Sequence, residues 1–161
     1  MTKLIFIRHG ESEANLNGCF AGQLDIGLSE KGKLQAELTA EYIARNYRVD
    51  AMYSSDLKRA YDTAKPLAEK IGRSAISTQG LREINAGAWQ GLCFDELQAC
   101  YADTYGIWLN NIGLAECPLG ERVKQLSERI WRSVSNIAQA HVDKTIVLVT
   151  HATPIRALVS A

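Results

Sequence analysis

This sequence is short of the features that mark an exported, membrane-embedded or nucleic-acid-binding protein. No apolar run approaches the roughly twenty residues that a membrane-spanning helix needs. The opening Met1-Thr2-Lys3, followed by four apolar residues, lacks the longer apolar region of a signal peptide. Neither sign of charge is in excess: 18 Lys and Arg residues balance 18 Asp and Glu residues, so no global field favours a nucleic acid or a membrane surface. Cysteine is sparse, and Cys19, Cys93, Cys100 and Cys117 form no Cys-x-x-Cys pair and no zinc-ligand spacing. They are expected as reduced thiols, with Cys19 a small packing residue near the candidate site. Repeats, low-complexity tracts and linkers are missing too. The expectation is a cytoplasmic protein whose residues 1–161 form one domain and whose partners are small molecules or proteins.

What is present is globular, with 47% hydrophobic and 22% charged residues. Strand and helix signals alternate. Apolar runs at residues 4–7, 49–53 and 145–149 read as strands, with a weaker one near 74–78. The run at 145–149 is continuous, as in a parallel strand buried on both faces. A loop rich in Gly and Asn follows the first strand. Ser29 then caps a helix in which Leu34, Leu38 and Tyr42 recur at i+4 beside Ala40 and Ile43. Asp56 is placed to cap a second helix carrying Ala60, Ala64, Leu67, Ala68 and Ile71, and Gly72 ends it. Residues 94–108 look helical but are poorly patterned. The clearest helix carries Val123, Leu126, Ile130, Val134 and Ile137. Such alternation predicts an α/β fold, a three-layer α/β/α sandwich with a mostly parallel central sheet.

In an open α/β sheet, groups that follow parallel strands gather at one edge, where ligands bind. Arg8-His9-Gly10-Glu11 follows the first strand and Thr150-His151 the last. A neutral imidazole is a good nucleophile near neutral pH. A neighbouring guanidinium favours the uncharged ring and offers planar donors to phosphate oxygens. Gly10 allows close backbone approach to a ligand. Alone, the tetrapeptide is equally well explained by a histidine that ends a strand and bonds a carbonyl.

Arg59 changes the balance. It falls in the first turn of its helix, where the dipole makes a cation unfavourable by ~0.3–1 kcal/mol. A residue placed against local preference is a candidate for function, although position alone would favour an arginine pointing into water. Glu83 follows the third strand in a Gly-rich loop, where it could protonate a leaving alkoxide and later deprotonate water. The simpler alternative is a pair with Arg82. His141, at the polar end of the longest helix, reads as a solvated surface residue.

Taken in order, Arg8-His9-Gly10-Glu11-Ser12 with Asn15, then residues 54–60 (SSDLKRA) with Thr63-Ala64, Leu81-Arg82-Glu83 with Gly87 and Gly91, and Val149-Thr150-His151 resemble the histidine phosphatase superfamily. The likeness is to its phosphoglycerate mutase-like branch and covers nearly the whole chain. It implies a phosphoglycerate mutase-like fold and metal-independent phosphoryl transfer without a cofactor. His9 becomes the phosphorylated nucleophile and Glu83 the proton donor and acceptor. Arg8, Arg59 and His151 bind the transferring group, while Asn15, Ala21, Gly22 and Ala152 line the substrate side. A loose phosphoryl-transfer transition state needs in-line positioning and donors around three equatorial oxygens, which these residues can supply.

Mutases of the family carry an arginine pair between the glutamate motif and the last long helix. Here residues 108–118 hold no basic residue, so the expectation is a phosphomonoesterase acting on a small phosphorylated metabolite. The alternatives are mutase-type transfer and a catalytically weak phospho-ligand-binding protein. Candidate substrates are sugar phosphates, phosphoserine, phosphoglycerates and ribazole phosphate, selected by residues 16–23 and 94–118. The chain departs from the family pattern in two places. Ala152 stands where relatives carry glycine, and the chain stops at Ala161, where relatives continue. A short C-terminal end would expose a sheet edge or an apolar helix face and invite a homodimer.

Overall fold

In the computed structural model, which describes residues 1–160, the apolar runs become strands β1 (Lys3–Arg8), β2 (Ala51–Ser55), β3 (Ile76–Thr78) and β4 (Thr145–Thr150). They form one four-stranded sheet in the order β1-β4-β2-β3, and all three pairings are parallel. The first and last strands in sequence are therefore neighbours, with Lys3 opposite Thr145 and Arg8 opposite Thr150. Helices α1 (Glu13–Leu16), α2 (Glu30–Asn46), α3 (Lys58–Ile71), α4 (Phe94–Cys100), α5 (Ala102–Asn110), α6 (Val123–Ala140) and α7 (Ala152–Val159) surround the sheet.

Side chains alternate between the two faces of each strand, and each face has its own helices. Met52, Val147 and Val149 pack on Ala40 and Ile43 of α2 and Ala60, Ala64 and Leu67 of α3. Ile146 and Leu148 pack on Ile130, Val134 and Ile137 of α6, with Ala157 and Leu158 of α7 alongside. The result is the expected α/β/α sandwich. A third cluster, centred on the fully buried Trp89 with Ile84, Leu97, Tyr105 and Leu126, folds residues 84–117 into a body beside the sheet.

Several local expectations are corrected. The stripe of α2 that meets the core is Gly32, Ala36, Ala40 and Ile43, whereas Leu34, Leu38 and Tyr42 are 60%, 58% and 60% exposed. Close approach is the reason: a Cβ on Gly32 would lie 2.0 Å from the Glu11 carbonyl oxygen, so this contact admits only the smallest residues. Ser29 caps α2 as expected, accepting from the Gly32 N–H at 3.1 Å. Asp56 does not cap α3, whose N-cap is Leu57. Its carboxylate instead holds Arg82 through two bonds, Nε to Oδ1 at 2.7 Å and Nη2 to Oδ2 at 2.5 Å. A forked charge-assisted pair is stronger than a single cap bond. It also leaves Glu83 without Arg82 as a partner.

Residues 94–108 form not one helix but α4 and the start of α5, divided at Tyr101, where φ is −135°. Helix α7 begins at Ala152, two residues before Pro154. His141 is half-buried rather than solvated, because its Nε2 lies 2.9 Å from the Tyr53 hydroxyl. The side chains of Cys19 and Cys93, expected as separate thiols, lie directly against each other. They face each other in an antiparallel bridge flanked by bonds from Phe20 N to Leu92 O at 2.8 Å and from Phe94 N to Gly18 O at 3.0 Å. A pairing across 74 residues leaves no mark in cysteine spacing. Cys100 and Cys117 are free thiols, and burial pushes Cys117 up to about 12.

Candidate active site

The pairing of β1 with β4 delivers His9 and His151 to the same edge. The His9 N–H donates to the Thr150 carbonyl at 3.0 Å, and the two imidazole centroids lie 5.1 Å apart in an edge-on arrangement. His9 Nδ1 is 2.7 Å from the Gly10 carbonyl oxygen. A carbonyl only accepts, so Nδ1 carries the proton and Nε2 keeps the lone pair. Burial, assisted by the charges of Arg59 and Arg8, lowers the His9 pKa to about 4 against the pull of the Gly10 bond. The ring is therefore neutral near pH 7.

Gly10 is needed for a contact other than the expected one. An added Cβ would meet the Gly32 carbonyl oxygen of α2 at 2.4 Å, so the glycine serves backbone packing rather than approach to a ligand. Its N–H donates to Thr63 Oγ1 at 3.0 Å, which ties the histidine loop to α3.

Arg59, on the first turn of α3, is only 1% exposed. Its Nη2 donates to the Gly22 carbonyl at 2.6 Å, its Nη1 to the Leu24 carbonyl at 2.9 Å and its Nε to His9 Nε2 at 3.3 Å. One N–H on each terminal nitrogen is left over for a ligand. Burial lowers its pKa, but a guanidinium stays charged. Gly22 reaches this position at a φ of 51°, with no room for a Cβ beside Gln90. Arg8, by contrast, is exposed.

Glu83 Oε1 accepts from the Ile84 N–H at 2.8 Å and Oε2 from the Thr153 N–H at 3.4 Å. Burial nonetheless pushes the carboxyl above its ordinary range, outweighing those bonds and the Arg59 charge. Its loop is pinned from several sides. Arg129 of α6 donates to the carbonyls of Arg82 at 3.0 Å and Glu83 at 3.2 Å, and Thr150 Oγ1 donates to that of Leu81 at 2.7 Å. His151 is fully buried, with Nε2 2.9 Å from Ser55 Oγ and Nδ1 without a protein partner. Burial, with the charge of Arg59, drives its pKa well down and keeps it neutral.

Arg8, His9, Asn15, Ala21, Gly22, Arg59, Glu83 and Ala152 all line one cleft of about 260 Å³, whereas the fully buried His151 is not part of its lining and reaches the site through its contact with the His9 ring. A second cavity of about 510 Å³, lined by Arg8, His9 and Asn15 together with Gln35 and Thr39, opens between His9 and α2. Among the described residues, no group of three or more His, Cys, Asp or Glu side chains could hold a metal ion, and no helix is long and apolar enough to cross a membrane. Sequence reasoning gave no role to Ser55, Arg129 and Arg156, and reached Tyr105 and Trp108 only as members of the substrate-selecting segment 94–118. Ser55 had a signal, since it ends a strand at the same sheet edge as His9. Arg129 had none, being a polar position on an amphipathic helix.

The family model of the histidine phosphatase superfamily (branch 1) matches residues 4–161. Phosphoserine phosphatase 1 of Hydrogenobacter thermophilus is 36% identical over 161 residues, covering 100% of this chain and 76% of the relative. The metal-independent phosphoserine phosphatase of Arabidopsis thaliana is 34% identical over 160 residues, covering 98% and 67%. The solved structure of a mycobacterial glucosyl-3-phosphoglycerate phosphatase superposes with a TM-score of 0.89 at 33% identity, covering 98% of this chain and 79% of that one.

Proposed function

This chain belongs to the histidine phosphatase superfamily, and on that premise we propose that it is a metal-independent phosphomonoesterase of small phosphorylated metabolites, working through a phosphohistidine on His9. Relatives named as phosphoserine and glucosyl-3-phosphoglycerate phosphatases support hydrolysis, as does the lack of basic residues at 108–118. The observation that carries the reading is the state of His9. Its proton is fixed on Nδ1 by Gly10, and its Nε2 lone pair lies in the cleft beside Arg59.

In this reading Nε2 attacks phosphorus, the ester oxygen departs, and the protonated Glu83 carboxyl supplies its proton. Glu83, now a carboxylate, takes a proton from water as that water attacks the phosphohistidine. Phosphate leaves and both residues return to their starting states. Arg8, the free N–H groups of Arg59 and His151 surround the phosphoryl oxygens. The Ser55 hydroxyl donating to His151 Nε2 leaves Nδ1 protonated as a donor, which would give this buried nitrogen its missing partner. Preorganised donors of this kind supply most of the barrier reduction in phosphoryl transfer.

The test is a phosphoenzyme trap. Alkali-quenched turnover of a labelled substrate should leave one phosphoryl group on the protein, stable in alkali, lost on later exposure to acid, and absent from His9→Ala. Turnover should survive chelator. Activity that chelator abolishes, or label retained by His9→Ala, would sink this mechanism.

A further inference from the structure

We infer that Arg129, on α6 and outside the cleft lining, is a positioning residue for Glu83: it fixes the peptide plane that aims the acid at the leaving group. The inference rests on the phosphomonoesterase reading, in which Glu83 donates that proton, and deepens it. All five N–H groups of the Arg129 guanidinium are engaged. Two go to the Glu121 carboxylate, Nε to Oε1 at 3.0 Å and Nη2 to Oε2 at 2.9 Å. Three go to main-chain carbonyls of the turn that carries the acid, those of Gly80 at 3.2 Å, Arg82 at 3.0 Å and Glu83 at 3.2 Å. Thr150 Oγ1 takes the carbonyl between them, that of Leu81. No carbonyl from 80 to 83 is free to turn.

Peptide geometry carries this hold to the acid. Among the described residues no peptide bond is cis, and in a planar trans peptide the C=O and N–H point in opposite directions. Arg129 draws the Glu83 carbonyl toward α6, and Gln23 Nε2 donates to the same oxygen at 3.0 Å. The Ile84 N–H of that peptide must then face the other way, where it meets Glu83 Oε1 at 2.8 Å. The second carboxyl oxygen has only the longer bond from the Thr153 N–H, at 3.4 Å. The carboxyl is therefore aimed mainly by a group whose direction Arg129 sets. Glu121 stiffens the anchor. Its Oε2 also accepts from the Asn85 N–H at 2.8 Å, and its own N–H donates to the Asn85 carbonyl at 2.7 Å. Arg129 and Glu121 thus brace the chain on both sides of Glu83. An arginine that only satisfied buried carbonyls would affect every substrate alike when replaced. One that aims Glu83 affects only those substrates whose leaving group needs a proton.

The experiment compares glycerol 3-phosphate, whose alkoxide must be protonated, with 2,4-dinitrophenyl phosphate, whose phenolate departs unaided. Values of kcat/KM are measured for wild type, Arg129→Met, Arg129→Lys, Glu83→Gln and the double variant of Arg129→Met with Glu83→Gln. This quantity reports the steps through ester cleavage and is blind to later hydrolysis of the phosphohistidine. A misaimed acid should cost Arg129→Met roughly 10- to 10²-fold on the alkyl ester and leave the aryl ester within about twofold of wild type. Arg129→Lys should recover part of the loss, because it keeps the charge but lacks the fork and two of the five donors. In the Glu83→Gln background, Arg129→Met should change the alkyl value by less than about twofold, since the group it positions is already gone. If neither Arg129 variant loses more on the alkyl ester than on the aryl ester, or if the selective loss persists in full without Glu83, this inference alone is overturned. A wild type that hydrolyses neither ester overturns the phosphomonoesterase reading and this inference with it.

Discussion

His9 and Glu83 are moved in opposite directions by one cause. Burial penalises whichever form is charged, so it lowers the imidazole to about 4 and raises the carboxyl above the ordinary value. The working combination, a neutral imidazole and a protonated acid, therefore exists between about 4 and the raised value of Glu83. Below that window His9 gains a proton and loses its lone pair; above it Glu83 loses the proton that the proposed mechanism hands to the leaving group. Glu83→Gln should reduce kcat for alkyl phosphates by roughly 10²–10⁴ and erase the alkaline limb of kcat/KM. An aryl phosphate whose phenolate departs unaided should still phosphorylate His9 in this variant, and stopped-flow should show a burst followed by slow turnover. An alkaline limb that is unchanged in Glu83→Gln would assign that limb to another group.

At the scale of elements, apolar spacing identified α2 and α6 equally well, yet only for α6 did it identify the buried face. Val123, Leu126, Ile130, Val134 and Ile137 are all buried, Leu126 and Ile130 completely. Helix α2 instead lies so close to the Gly10 loop and α3 that small residues fill its inner stripe, and a hydrophobic pattern does not weigh glycine and alanine as core. Leu126→Ala should cost about 2–5 kcal/mol by opening a cavity, whereas Leu38→Lys should change stability by no more than about 0.5 kcal/mol. Urea denaturation of both variants measures this. A large loss for Leu38→Lys would mean that the outer stripe of α2 is covered in solution. The cap of α3 escaped for a different reason: Asp56 has the right spacing for a cap, but it met a guanidinium 26 residues away that no local window contains.

At the scale of the whole molecule, the site was legible where topology decides and opaque where loops decide. Two strands that end in histidine motifs must place them together once the strands are parallel neighbours, so His9 and His151 followed from pattern alone. Arg156, Tyr105 and Trp108 meet the cleft only through the folding of residues 84–117 and the turn into α7, which periodicity does not describe. Gathering these groups in one buried place has a consequence for the entire fold. The unfolded chain takes up a proton on His9 near 6.5, the folded chain only near 4. Stability from this residue is therefore complete above about 6.5 and is lost as pH falls to about 4, a total of about 3 kcal/mol at about 1.4 kcal/mol per unit. His151 acts in the same direction. Glu83 acts in the other: its raised pKa makes the folded chain hold a proton more tightly, so its contribution declines as pH rises above 4.5. The wild-type slope between pH 4.5 and 6.5 is the difference between these effects. In denaturant titrations across that range, Glu83→Gln should show a steeper rise of stability with pH than wild type, and His9→Asn a shallower one. Equal slopes in all three proteins would mean that the two groups do not share the buried environment on which the proposed chemistry depends.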